Sequence, residues 1–388
     1  MCAESIKSDF VKAELISTYA SQQIVELSMD SVLRKNTTLK LNEREICELD
    51  FLKEFKYFCV LEFGNNLIKS IRRNDFLLLE DLDRLDLKEN FIETFEDEAL
   101  SNCKELLFLN LEKNRLTKLT PRTFLCLKKL TYLNLEENFI NNIENVFTEL
   151  ENLKELNLKS NSLKSIKAGY FSKQSKLEHL DLSKNKIESI EFDSLSSLEN
   201  LKTLRLDCNQ LNWIEKKYFK NLKKLEVLTI SCNKIDYIEE GSFIDLIGLL
   251  ELRLDQNYKL HFIKEGTFEN LENLKRLDLK SNGTNVIVQE AFQCLKSLEF
   301  LDLSCNRLSY ISKYLFDQLE NLTHLNISDN NIEEVDSDSF VNLINLTYLG
   351  LMSLKASVQV ENINFDNLKK LKTIVVEDQK KITLNKKK

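Results

Sequence analysis

The side chains in this 388-residue chain best suited to nucleophilic or metal chemistry are three histidines and nine cysteines, and their spacing favours neither. The histidines, His179, His261 and His324, stand far apart, and there is no HExxH helix motif, GxSxG elbow or Gly-rich phosphate loop. The cysteines form no CxxC pair, so a zinc site is not expected. Asp and Glu total 62 and are spread throughout, so neighbouring carboxylates carry no acid–base signal. The chain is therefore expected to have no catalytic residue, metal or cofactor, and to be no enzyme.

Two kinds of covalent chemistry remain open. Asn-x-Ser/Thr sequons occur at Asn36, Asn282, Asn321, Asn326 and Asn345. Cys208 and Cys232 lie 24 residues apart, which the repeat described next turns into one strand spacing of about 4.8 Å, within disulfide range. A disulfide and two reduced thiols both fit that placement. Cys2–Cys47, or alternatively Cys47–Cys59, is a second candidate pair, pinning the N-terminal region if the compartment is oxidising.

The residue with an orderly spacing is asparagine. Asn66, Asn90, Asn114, Asn138, Asn161, Asn185, Asn209, Asn233, Asn257, Asn282, Asn306 and Asn330 each close an LxxLxLxxN phrase or a close variant of it. Their spacing is 24 residues, apart from one step of 23 (Asn138 to Asn161) and one of 25 (Asn257 to Asn282). A period of this length means a solenoid. In the unit Leu225-to-Phe243, Leu228-Thr229-Ile230 forms a short strand whose ends point inward and whose middle points outward. Identical strands then stack into one parallel sheet, and buried Asn side chains bond backbone groups in the bends. A Phe follows in most units (Phe76, Phe124, Phe171, Phe219, Phe243), often with Leu three residues on, as in a helical turn covering the sheet.

This register picks out the residues that can meet a partner on the concave sheet face. One outward position carries Phe108 and Tyr132 in adjacent units, His179 alone, and Phe300, His324 and Tyr348 in three adjacent units. The next outward position carries Arg205, Thr229 and Arg253, with Asp181 and Asp278 one strand from the arginines. His179 and His324 are six units apart and cannot share a ligand. Stacked aromatics suit a binding anchor, and they equally suit cross-strand packing. The arginines suit an anionic partner or ordinary surface ion pairs.

Composition limits the alternatives. Only seven Gly and one Pro leave no flexible linker, and a net charge of −8 with interspersed signs gives no footprint for nucleic acid. No apolar run reaches the roughly 18 to 20 residues of a membrane span, and Met1 to Lys7 has no apolar signal region. The expected organisation is an N-terminal cap over 1–38, a solenoid of about 13 to 14 units over 39–354, and a degenerate repeat, cap and Lys-rich tail over 355–388.

The phrase LxxLxLxxNxLxxIxxxxFxxL resembles the leucine-rich repeat, and its 24-residue length with a spine Phe resembles the extracellular class found in Toll-like receptor ectodomains, Slit and secreted insect proteins. The resemblance covers residues 39–376. It implies an α/β horseshoe with a concave parallel sheet and convex short helical turns. It further implies a secreted or receptor-type recognition protein, with innate immunity among its settings. The partner would be a protein, or alternatively a glycan or a lipid. Asn36, Asn321, Asn326 and Asn345 are the sequons open to a glycan, whereas Asn282 is a ladder residue. The competing expectation is a cytoplasmic scaffold on the same solenoid.

Overall fold

A computed structural model describes residues 37–56, 58–377 and 380–382. Two compact units divide the chain, one ending at Lys186 and the other beginning at Ile187. Residues 1–36 of the expected 1–38 cap, with Cys2 and Asn36, and the end of the Lys-rich tail lie outside the described residues.

Each unit is a parallel-strand solenoid. In the first, strands at Thr37–Lys40, Phe58–Glu62, Arg84–Asp86, Phe108–Asn110, Tyr132–Asn134, Glu155–Asn157 and His179–Asp181 lie side by side in chain order. In the second, the order runs Thr203–Arg205, Val227–Thr229, Glu251–Arg253, Arg276–Asp278, Phe300–Asp302, His324–Asn326, Tyr348–Gly350 and Thr373–Glu377. Lys380–Ile382 then closes the second sheet antiparallel. Register is in phase with the repeat: Leu228 pairs with Leu204 on one side and Leu252 on the other. The central residue of each three-residue parallel strand is buried. A second set of two-residue strands follows the bend, pairing Ser70–Ile71 with Thr94–Phe95 in the first unit and Trp213–Ile214 with Tyr237–Ile238 in the second.

The outer segments are turns and not α-helices. Leu246 N donates to Phe243 O and Leu249 N to Leu246 O, both at 2.9 Å, so the i, i+3 spacing closes two successive single turns. In several turns, left-handed residues near the spine Phe keep the turn from propagating. They fall two positions before it at Gly169, Gly241 and Gly266, and two after it at Cys126, Asn221 and Asn270. The spine rings are fully buried and stack between successive turns, Phe147 on Phe171 at 6.3 Å in the first unit and Phe243 on Phe268 at 6.4 Å in the second. Cys103 sits in this core, and burial pushes its thiol up to about 12, which makes it an inert apolar filler.

The asparagines hold the bends. Asn233 Nδ2 donates to Leu206 O (3.0 Å) in the preceding turn and to Ile230 O (3.1 Å) in its own, while Oδ1 accepts from Leu211 N (3.1 Å). Asn90 makes the same three contacts in the first unit. The residue before each ladder Asn is left-handed although none is glycine, as at Lys113 (φ 52°), Cys232 (φ 57°) and Asp329 (φ 56°). The 25-residue step disturbs this pattern. Asn282 is fully buried, its Oδ1 accepts from Asn257 N (2.7 Å), and its Nδ2 finds no acceptor. At Leu354 the ladder ends, because a leucine offers no amide.

Asn233→Ala therefore strands up to three backbone groups, at about 1–3 kcal/mol each, whereas Asn282→Ala removes one good hydrogen bond and one unsatisfied donor. In urea unfolding Asn233→Ala should lower the midpoint more than Asn282→Ala. Equal midpoints, or the reverse order, would refute the ladder assignment.

Candidate functional site

The sheet's outward positions fall into lanes that run across neighbouring strands. In the first unit one lane reads Arg84, Phe108, Tyr132, paired residue for residue. In the second the same lane reads Arg276, Phe300, His324, Tyr348. The rings stack face to face: Phe108 on Tyr132 at 4.3 Å, Phe300 on His324 at 4.6 Å, and His324 on Tyr348 at 4.1 Å, with interplanar angles of 3–9°. These separations are near the strand spacing, so adjacent strands bring the rings into contact without distortion.

Each stack begins with a guanidinium. Arg84 lies 3.5 Å from the Phe108 ring centre and Arg276 lies 3.6 Å from that of Phe300, a geometry that attracts by the ring quadrupole. The sequence reading missed both arginines, although they occupy the aromatic lane one period before each Phe. The stacks are half-buried. Neighbours cover both faces of Phe108, Phe300 and His324, which present ring edges, while Tyr132 and Tyr348 each end a stack with one ring neighbour.

Beside the second stack lies an ionic network. Glu251 accepts from Arg253 Nε in its own strand and lies 3.5 Å from Arg276 Nε, and Arg276 also reaches Asp278 (3.4 Å). Arg253 is thus paired with Glu251, and Asp278 is paired with Arg276, which changes the partners expected from sequence. Burial pushes the Asp278 carboxyl above the usual range; the Lys280 backbone N–H and Arg276 oppose this, and Asp255 and Asp302 add to it.

The other expected residues scatter. His179 is exposed on the last strand of the first unit, and Arg205 is exposed on the first strand of the second. Thr229 is buried, with its hydroxyl donating to Asp207, so it offers no open seat. Cys208 and Cys232 are exposed on successive bends, Cys208 N donating to Ser231 O (2.9 Å). Among the sequons, Asn282 is buried and unsuited to a glycan. Asn326 lies across Gly350, where a Cβ would come within 2.3 Å of its Oδ1. Asn321 and Asn345 stand before their strands, donating to Lys296 O and Glu320 O. No helix among the described residues is long and apolar enough to cross a membrane.

The leucine-rich repeat family model matches seven overlapping stretches from residue 60 to residue 353. The chain is a leucine-rich repeat protein. No curated protein matches it. Among solved structures, the chain is similar to TLR13 in complex with ssRNA13, at 29% identity over 89% of this chain and 51% of that one, TM-score 0.79. It thus spans about half the TLR13 chain. It also resembles a leucine-rich repeat protein of Leptospira interrogans, at 24% identity over 90% and 86%, TM-score 0.74. Drosophila Toll in complex with Spätzle is similar at 20% identity over 87% and 44%, TM-score 0.67. The last two share the fold alone.

His324 gives the aromatic lane a pH signature. Burial between two rings lowers its pKa below 6.5; Asp302 opposes the shift and Arg276 adds to it. Between the lowered value and the unfolded value of about 6.5, the unfolded chain binds more protons. Stability should therefore fall as pH drops through that window and stay level just above it. Unfolding at about pH 7.5 and about pH 5.5 should show a smaller acid loss for His324→Phe than for the wild type; equal losses would rule out this burial effect.

Proposed function

We propose that this leucine-rich repeat protein is an extracellular recognition module that binds a protein partner through the outward face of its second-unit sheet, without catalysis. The observation that carries the reading is the four-residue lane Arg276-Phe300-His324-Tyr348. Its rings stack at 4.1–4.6 Å beside the Glu251–Arg253–Arg276–Asp278 network. Aromatic and Arg side chains held rigid before binding lose little conformational freedom on contact, and such residues dominate interface energetics. A glycan or a lipid suits the lane less well than a protein does, because both ring faces of Phe300 and His324, which such ligands would use, are occupied by Arg276 and the neighbouring rings. The family and the TLR13 likeness support an extracellular setting. Asn321 and Asn345 are the sequons proposed to carry glycan there.

The test is to immobilise the wild-type chain and a Phe300→Ala/Tyr348→Ala variant, and pass extracellular fluid of the source organism over both. Proteins retained by the wild type should be lost from the folded variant, with affinity reduced by about tenfold or more, as expected for paired interface anchors. Identical retention would remove the sheet face from consideration. Thiol titration of native-source protein bears separately on the setting: an oxidised Cys208–Cys232 pair supports the extracellular reading, and nine reactive thiols on denaturation support the cytoplasmic scaffold.

A further inference from the structure

A different face of the second unit carries a feature that the fold does not require. In the short strands after the bend, the outward position is Trp213, Tyr237, Phe262, Val286 and Tyr310 in five successive turns, exposed by 42–46%. The same position in the first unit is Ser70, Thr94, Lys118, Asn142 and Ser165. The backbone accepts small polar residues there, so the apolar series is not a packing necessity. Trp213 pairs with Tyr237 and Phe262 with Val286, about 5 Å apart within each pair, and the lane runs through successive turns to Tyr310, with Lys264 Nζ 4.7 Å from the Tyr237 ring centre. Contiguous exposed apolar surface of this kind marks an interaction site.

We infer that this stripe is a self-association surface, on which a second copy of the chain docks antiparallel about a two-fold axis between the Phe262 and Val286 turns. Charge along the stripe selects that occupant and that register. The Trp213 turn carries Lys216, Lys217 and Lys220 against the single carboxylate of Glu215. The Glu334 turn, just beyond the stripe, carries Glu333, Glu334, Asp336 and Asp338, with no Lys or Arg. The Tyr237 turn is acidic overall, with Asp236, Glu239 and Glu240 against Lys234, and the Tyr310 turn is basic overall, with Arg307 and Lys313 against Asp317. The two-fold sets the basic Trp213 turn on the acidic Glu334 turn, and the acidic Tyr237 turn on the basic Tyr310 turn. Phe262 then meets Val286 at the centre. An isologous contact requires such self-complementarity.

Size is consistent with a dimer. Aromatic side chains bury about 150–250 Å² each, so the four exposed by 42–46% offer about 250–450 Å² per copy. A standard interface uses about 800 Å² per partner, with an apolar centre and a polar rim. The stripe supplies the centre, and the charged turns on either side supply the rim. Trp213 Nε1 is already bonded to Glu215 (2.8 Å) and Tyr310 Oη to Asp336 (2.6 Å), so the polar ends of these rings need nothing from the partner.

Sedimentation equilibrium on the full chain tests the inference. The wild type should dimerise by a concentration of about 100 µM, a modest demand for a contact of this class. Tyr237→Ser/Phe262→Ser, which installs side chains the first unit already carries in this lane, should weaken the dimer by about tenfold or more, with circular dichroism unchanged. Glu333→Lys/Glu334→Lys should also weaken it, and adding Lys216→Glu/Lys217→Glu should restore it, which a merely structural role for these residues would not do. A wild type that stays monomeric, a dimer indifferent to the serine pair, or a charge reversal without rescue would each overturn the proposal. Loss of partner retention by the Phe300/Tyr348 variant is read on a separate face, so the two ideas fail independently.

Discussion

From Asn66 to Asn330 the bends bury backbone donors and acceptors that a neighbouring strand cannot reach, and in all but the Asn282 turn the asparagine side chain satisfies them in one repeated pattern. Its geometry explains why no other residue serves as well. One amide gives two donated bonds and one accepted bond, spanning its own turn and the one before, as at Asn233. Adjacent turns are thereby tied together. The left-handed residue ahead of each asparagine, non-glycine throughout the ladder, is held in that conformation by the same contacts. Sheet register and spine stacking both follow from this repeated constraint, because each new turn can only be laid down in phase with the last.

Outward positions carry no such constraint. The lane that holds Ser70 and Thr94 in one unit holds Trp213 and Tyr237 in the other, on the same backbone. The aromatic lane of the sheet varies in the same way, since Phe300 and His324 stand where Thr203 and Val227 stand in earlier turns. A solenoid therefore separates its two tasks within each unit: the inward residues and asparagine make the turn, and the intervening residues are free to make contacts. That separation accounts for a shared fold at 20–29% identity with TLR13, Toll and the Leptospira protein.

Much of the fold was legible because the repeat is written at full period a dozen times. The ladder, the inward leucines and the spine phenylalanines lie where the phrase LxxLxLxxN places them, and the 25-residue step at Asn282 marks the one ladder amide with an unused donor. The outer segments were harder to read. An i, i+3 pattern suits a helix and a pair of single turns equally, and the folded backbone decides for turns, in several of them with left-handed residues beside the spine phenylalanine, such as Asn221 and Asn270. At the candidate site, the lanes were readable but their occupancy was not. Thr229 looked open until its hydroxyl was found on Asp207, and Arg253 turned to Glu251 within its own strand. The Trp213-to-Tyr310 stripe escaped notice because it lies beyond the asparagine, outside the strand from which a binding face was sought.

Sequence alone determined what recurs every 24 residues, since a buried periodic residue has one environment and one role in every turn. Only the tertiary structure decided which rings stack, which charges pair and which aromatics remain uncovered. Those outcomes depend on rotamers chosen among neighbours from turns 24 residues away, and a side chain at an outward position has several neighbours to choose from. The asparagine has one arrangement available, whereas Arg276 could have reached Glu251, Asp278 or the Phe300 ring, and in the folded unit it engages all three.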